Sequence, residues 1–210
     1  MPHDCCDHTF TGDDPAFRRV LWIIIGLNAA MFVVEFVAGA IAGSLALQAD
    51  SLDFAMDAAT YGLSLAVIGM APATRARAAL LKAASLGLIA AWVLGAALWR
   101  VFVVEVPEPL TMGAIAIAAF LANVASVLLL WRWREGDANI RSVWLCSRND
   151  ALGNLMVLAA AAGVFGTGSR WPDLAVAAVM SALFLQTAML TARRAMTELN
   201  GRGSHAGHAH

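Results

Sequence analysis

The chain has 210 residues, 60% hydrophobic and only 14% charged, with a formal net charge of −1. A soluble domain of this size needs more charge to cover its surface, so the composition points to a membrane protein. There is no basic patch for nucleic acid, and the three cysteines, Cys5, Cys6 and Cys146, are too few and too badly spaced for a disulfide framework.

The first sixteen residues, MPHDCCDHTFTGDDPA, are polar and acidic. They lack the basic start of a cleaved signal peptide, so the first apolar segment is expected to be retained. Apolar stretches long enough to cross about 30 Å of hydrocarbon then recur along the chain. Six spans are expected, at Phe17–Ala42, Leu47–Ala71, Ala78–Val104, Leu110–Arg134, Ala138–Phe165 and Trp171–Arg194. Turn-forming residues separate them: GAIAGS, MAPATRAR, EVPEP, REGDAN and GTGSRWPD. Each span must be helical, because an unpaired backbone amide in lipid costs several kcal/mol. The expected fold is thus all-α, one six-helix transmembrane domain over residues 17–195, with tails at 1–16 and 196–210.

Basic residues orient it. Arg18, Arg19, Arg75, Arg77, Lys82, Arg132, Arg134, Arg141, Arg193, Arg194 and Arg202 fall on one side, against Arg100 and Arg170 on the other. That asymmetry places both termini in the cytoplasm. Trp22, Trp99, Trp131, Trp133 and Trp171 sit near span ends, where interfacial anchors belong.

Five carboxylates lie within the spans: Glu35 in the first, Asp50, Asp53 and Asp57 in the second, Asp150 in the fifth. An ionised Asp near a helix centre costs about 2.5–3.5 kcal/mol even on the lenient insertion scale. Asp50, Asp53 and Asp57 are spaced i, i+3, i+7 and so share one helix face, as do Cys146 and Asp150 at i, i+4. The second and fifth spans run in opposite directions, which brings Asp53, Asp57, Cys146 and Asp150 to similar depth. Two such pairs make a four-ligand set of the kind a tetrahedral d-block cation takes. A proton relay could use the same acids, but a thiolate is a soft metal ligand and a poor relay. Asp50, Glu35, Asn28, Asn149 and Asn154 are candidates for supporting hydrogen bonds or a proton path. Asn123 is expected to bond between helices. Arg148 is expected to point away from the Cys146–Asp150 face. The tails carry HDCCDH and SHAGHAH, in which His3, Cys5, Cys6, His8, His205, His208 and His210 are candidates for capturing metal.

The stretches EFVAGAIAGSLALQADSLDFAMD (Glu35–Asp57) and IRSVWLCSRNDALGNLMVLAAAAGVFGTGSRWPD (Ile140–Asp173) carry a resemblance. The chain resembles a cation diffusion facilitator, whose second helix typically reads G…SLALLADALH…D and whose fifth reads H…DALGS. The resemblance implies metal ligands at Asp53, Asp57, Cys146 and Asp150, with Asp53 and Cys146 standing where zinc-transporting members often have histidine. It implies proton-coupled efflux of a divalent cation and a homodimer, here paired through membrane helices. About fifteen residues follow the sixth span, so a short form without the family's cytoplasmic C-terminal domain is expected. The bacterial inner membrane is the expected location, and neither enzymatic activity nor a resident cofactor is expected.

Ligand softness then favours Zn²⁺ or Cd²⁺, with Co²⁺ also compatible, if Cys146 binds. Without the thiolate, the carboxylates suit Mn²⁺ or Fe²⁺ better. Three carboxylates and a thiol cannot all stay ionised in a low-dielectric bundle, so some hold protons that an arriving metal displaces. Other readings are a proton-coupled exporter of an organic cation and a membrane metal sensor that does not transport. An intramembrane aspartyl protease would need a GxGD-type motif, which this chain lacks.

Overall fold

The computed structural model describes residues 15–66, 72–102, 106–134 and 138–206. They form six helices: α1 Pro15–Ala42, α2 Leu45–Ala66, α3 Pro72–Phe102, α4 Pro109–Leu129, α5 Ala138–Thr167 and α6 Trp171–Ala206. A short 3₁₀ turn, Trp131–Trp133, follows α4. Among the described residues there is no strand, as the all-α expectation required.

Five helices, all but α2, are long and apolar enough to cross a membrane. Helix α2, at 22 residues, spans about 33 Å, but Asp50, Asp53 and Asp57 make it too polar to pass on hydropathy. It can sit in the bilayer because its neighbours cover it: Gln48, Asp50, Ser51, Asp57 and Thr60 are all buried. The outward surfaces of the other helices carry the apolar side chains instead, among them Ile41, Leu88, Leu98, Leu121 and Phe165. Trp22, Trp99, Trp131 and Trp171 are exposed, as interfacial anchors must be. A helical bundle with such surfaces is an integral membrane protein. Since outer-membrane spanning proteins are closed barrels, its place in a bacterium is the inner membrane.

Helix α1 packs mainly on α2, α4 on α5, and α3 on α6, while α2 and α5 also touch both each other and α6. One large apolar core runs through Leu45, Leu47, Leu86, Val93, Met112, Val157, Val164, Met180 and Phe184. A smaller cluster at the opposite end joins Phe17, Leu21, Ile24, Tyr61, Leu65, Leu130 and Val143. Close packing of α1 on α2 needs Gly39, where a Cβ would come within 3.0 Å of Leu47 Cβ.

The outer ends of the helices are tied together by polar groups. Gly43, at φ +68°, turns the chain between α1 and α2. Ser44 then caps α2, its Oγ accepting from the Leu47 N–H at 3.0 Å and donating to Asp173 at 2.6 Å. Asp173 itself, buried at the start of α6, accepts from the backbone N–H groups of Leu45 (2.9 Å) and Ala46 (3.0 Å). Arg100 of α3 donates to the Gly43 carbonyl, and Arg170 donates to that of Val101. Glu108 caps α4 by accepting from Leu110 and Thr111, bonds that hold its carboxyl below the usual range. One side chain of α6 thus satisfies an amide end of α2 that lipid could not. Asp173→Ala should therefore lower stability by about 2–4 kcal/mol, since it strips a cap and leaves buried donors unpaired. Thermal unfolding of the detergent-purified protein measures it, and an unchanged midpoint would refute the role.

Among the described residues three boundaries differ from expectation by more than two residues, the first being the start of α3, at Pro72 rather than Ala78. Helix α4 ends at Leu129 and tightens into the 3₁₀ turn before Arg134. Helix α6 continues beyond Arg194 to Ala206, because residues such as Ala195, Met196 and Leu199 keep helix propensity after the apolar stretch has ended.

Candidate metal site

The polar residues of the spans converge on one narrow cleft. Asn28 of α1, Asp50, Asp53, Phe54 and Asp57 of α2, Asn123 of α4, and Asp150 and Asn154 of α5 line it. The i, i+3, i+7 spacing explains the α2 contribution: the three aspartates make a stripe on the face turned away from lipid. Asp57 lies about 14 Å from the inner end of α2, and Asp150 about 18 Å from the start of α5. Those depths bring both carboxylates to the same cleft. Asp57 also accepts from the hydroxyl of Tyr61, one helical turn on, at 2.8 Å.

The outer part of the cleft is a chain of amides and acids. Asn123 Nδ2 donates to Asn154 Oδ1 at 2.9 Å, and Asn154 Nδ2 donates to Asp50 Oδ2 at 2.6 Å. This ties α4 to α5 to α2 through side chains alone. Glu35 is wholly buried on α1, and neither of its carboxyl oxygens has a hydrogen-bond partner. Asn28 lines the cleft while donating to the Ile24 carbonyl of its own helix at 2.9 Å.

Of the expected ligands, then, Asp53, Asp57 and Asp150 line the same cleft. Among the described residues, no three His, Cys, Asp or Glu side chains close on one point as a finished metal centre would. Cys146 lies in α5, but its side chain falls outside the described residues. So do His3, Cys5, Cys6, His8, His208 and His210, and the side chain of His205. Of the supporting candidates, Asp50, Glu35, Asn28 and Asn154 are buried at or beside the cleft, whereas Asn149 does not line it. Arg148 is exposed, its guanidinium 5.5 Å from the Trp144 ring centroid, consistent with its pointing away from the acids.

Two participants are not singled out by the sequence alone. Tyr61, the chain's one tyrosine, stands four residues after Asp57, a spacing that could have flagged it. Asn123 is expected only to bond between helices, and its place in the cleft depends on the α4–α5 pairing.

The cation efflux transmembrane domain matches residues 21–200. Among curated relatives, the zinc transporter ZitB of Escherichia coli (strain K12) is 30% identical over 203 residues, 89% of this chain and 64% of that protein. ZitB of Pectobacterium atrosepticum is 29% identical, covering 91% of this chain and 63% of its own. The metal cation efflux system protein CzcD of Cupriavidus metallidurans is 27% identical, covering 78% and 55%. The chain thus spans less than two thirds of the length of each of these relatives. With the family's transmembrane domain matched over most of its residues, this chain belongs to the cation efflux, or cation diffusion facilitator, family.

Proposed function

We propose that the protein exports a divalent transition-metal cation from the cytoplasm in exchange for protons, with Zn²⁺ and Cd²⁺ favoured. The observation that carries this reading is the cleft that Asp53 and Asp57 of α2 and Asp150 of α5 line together inside the bundle. Buried acids at that depth are retained for a cation or for protons, and here both uses fit one mechanism. The proposed ligands are Asp53, Asp57, Cys146 and Asp150. Metal binding needs their deprotonated forms, so metal and protons compete for the same atoms. An ion entering from the cytoplasm displaces protons inward. Protons arriving from the more acidic outer side then displace the ion outward. Asn154, held in turn by Asn123, fixes the orientation of Asp50 beside the site. The names of the relatives, zinc transporter and metal cation efflux system protein, support the substrate class. We place the working unit as a pair of chains joined through membrane helices, with the tail histidines and cysteines collecting ions at the cytoplasmic mouth.

A second reading has its own support. Apart from Phe54, every described residue lining the cleft is an Asp or Asn, which offers oxygen. A carboxylate-only site would suit Mn²⁺ or Fe²⁺.

Flux into proteoliposomes across a panel of Zn²⁺, Cd²⁺, Co²⁺, Mn²⁺ and Fe²⁺, with and without a pH gradient, tests the proposal. The expected result is Zn²⁺ and Cd²⁺ transport that the gradient accelerates. Manganese or iron moving faster than zinc would favour the second reading, and no metal flux at all would refute both.

A further inference from the structure

Arg148 lies five residues inside the apolar stretch Val143–Thr167 of α5, near its cytoplasmic end. A charged side chain in a span usually turns into the bundle, where acids or backbone carbonyls can answer it. Arg148 does the opposite: it is exposed, while Asp150, two residues on, lines the cleft. Its guanidinium reaches back one helical turn towards the membrane surface, 5.5 Å from the Trp144 ring centroid. Trp144 meets Trp131 edge to face, with ring centroids 6.2 Å apart, and the Arg134 guanidinium lies 4.4 Å from the Trp131 ring. The result is a row, Arg148–Trp144–Trp131–Arg134, across the inner ends of α5 and α4. The rings orient the two cations without neutralising them. Among the described residues, the polar partner of Arg148 is the side-chain oxygen of Asn149, at 3.4 Å, and no carboxylate pairs with it. Deeper on the same helix face, one and two turns on, Leu152 and Leu155 are exposed and apolar.

We propose that this row is a binding site for an anionic phospholipid of the cytoplasmic leaflet, its headgroup held by Arg148 beside the Trp144 and Trp131 rings and an acyl chain lying along Leu152 and Leu155. Three features match that occupant. A guanidinium presents a planar fork of donors that fits phosphate oxygens two at a time. Tryptophan rings sit at headgroup level, where one edge is wet and the other apolar. An unpaired cation above an apolar strip complements a molecule with a negative head and hydrocarbon tails, whereas free phosphate would gain nothing from the leucines. The site lies on the outside of the bundle, on the face of α5 turned away from the acids.

The test titrates dioleoylphosphatidylglycerol, or neutral dioleoylphosphatidylcholine, into the detergent-purified full chain and reads bound lipid by native mass spectrometry. The wild type should retain phosphatidylglycerol in preference to phosphatidylcholine. Arg148→Gln should weaken phosphatidylglycerol binding about fivefold, the contribution of one basic residue at an anionic surface, and leave phosphatidylcholine binding as it was. Arg19→Gln, which removes an exposed cation from the cytoplasmic end of α1, should change neither. No lipid preference in the wild type, or an unaltered preference in Arg148→Gln, would overturn the site. Equal losses in the two variants would overturn it too, since diffuse surface charge would then explain the binding. Inorganic phosphate forms the third arm: it should not displace the lipid, and displacement would mean that the row takes a free anion instead.

Discussion

Asp57→Ala and Asp150→Ala should each abolish transport of every divalent ion, with a loss of roughly a hundredfold or more in flux. Loss of a group that merely orients a metal ligand commonly costs roughly 10–100-fold in affinity or activity, and a ligand should cost at least as much. Carboxylates serve hard and soft cations alike, so the loss should not depend on which metal is offered. Removing Asp57 also takes from the Tyr61 hydroxyl an acceptor 2.8 Å away. Asn149→Ala is the matched control, because Asn149 neighbours Asp150 in the chain but does not line the cleft. The variants must elute from a sizing column like the wild type, so that lost flux is not lost fold. Flux within threefold of wild type in either aspartate variant would place the cation elsewhere.

These acids are also the part of the site that the amino-acid sequence announces most clearly. Spans declare themselves through length and apolarity, and α2 declares itself by breaking that rule with three acids on one face. Its partner is legible because α5 repeats the device with Asp150. The ends of helices are less legible, since hydropathy marks where lipid stops and not where a helix stops. Past Arg194 the chain leaves the apolar range yet keeps its helical hydrogen bonds to Ala206. Least legible are contacts between residues distant in sequence. Ser44 and Asp173 are 129 positions apart, and no local pattern announces that an acid on α6 caps α2. Asn123, Asn154 and Asp50 likewise form one chain of bonds only after α4, α5 and α2 have packed.

Cys146→Ser should reduce Cd²⁺ transport about tenfold or more, yet change Mn²⁺ transport little, because only the softer ion draws on sulfur. Cys146 precedes Asp150 by one helical turn on α5, which puts the two on one helix face. Serine keeps the size and position but offers a hydroxyl that hardly ionises, so the site would fall back on Asp53, Asp57 and Asp150. Those three can still hold an ion that accepts oxygen and water, as Mn²⁺ does. Cys146→His should retain Zn²⁺ transport better than Cys146→Ser, since imidazole nitrogen is a good zinc ligand at about 2.0–2.1 Å. The ratio of Cd²⁺ to Mn²⁺ flux, taken on the same vesicles, cancels differences in protein insertion and reads the ligand directly. Equal losses for both ions in Cys146→Ser would mean that the thiol packs without binding. The site would then be made of carboxylates alone, and the preference would pass from zinc and cadmium to manganese or iron.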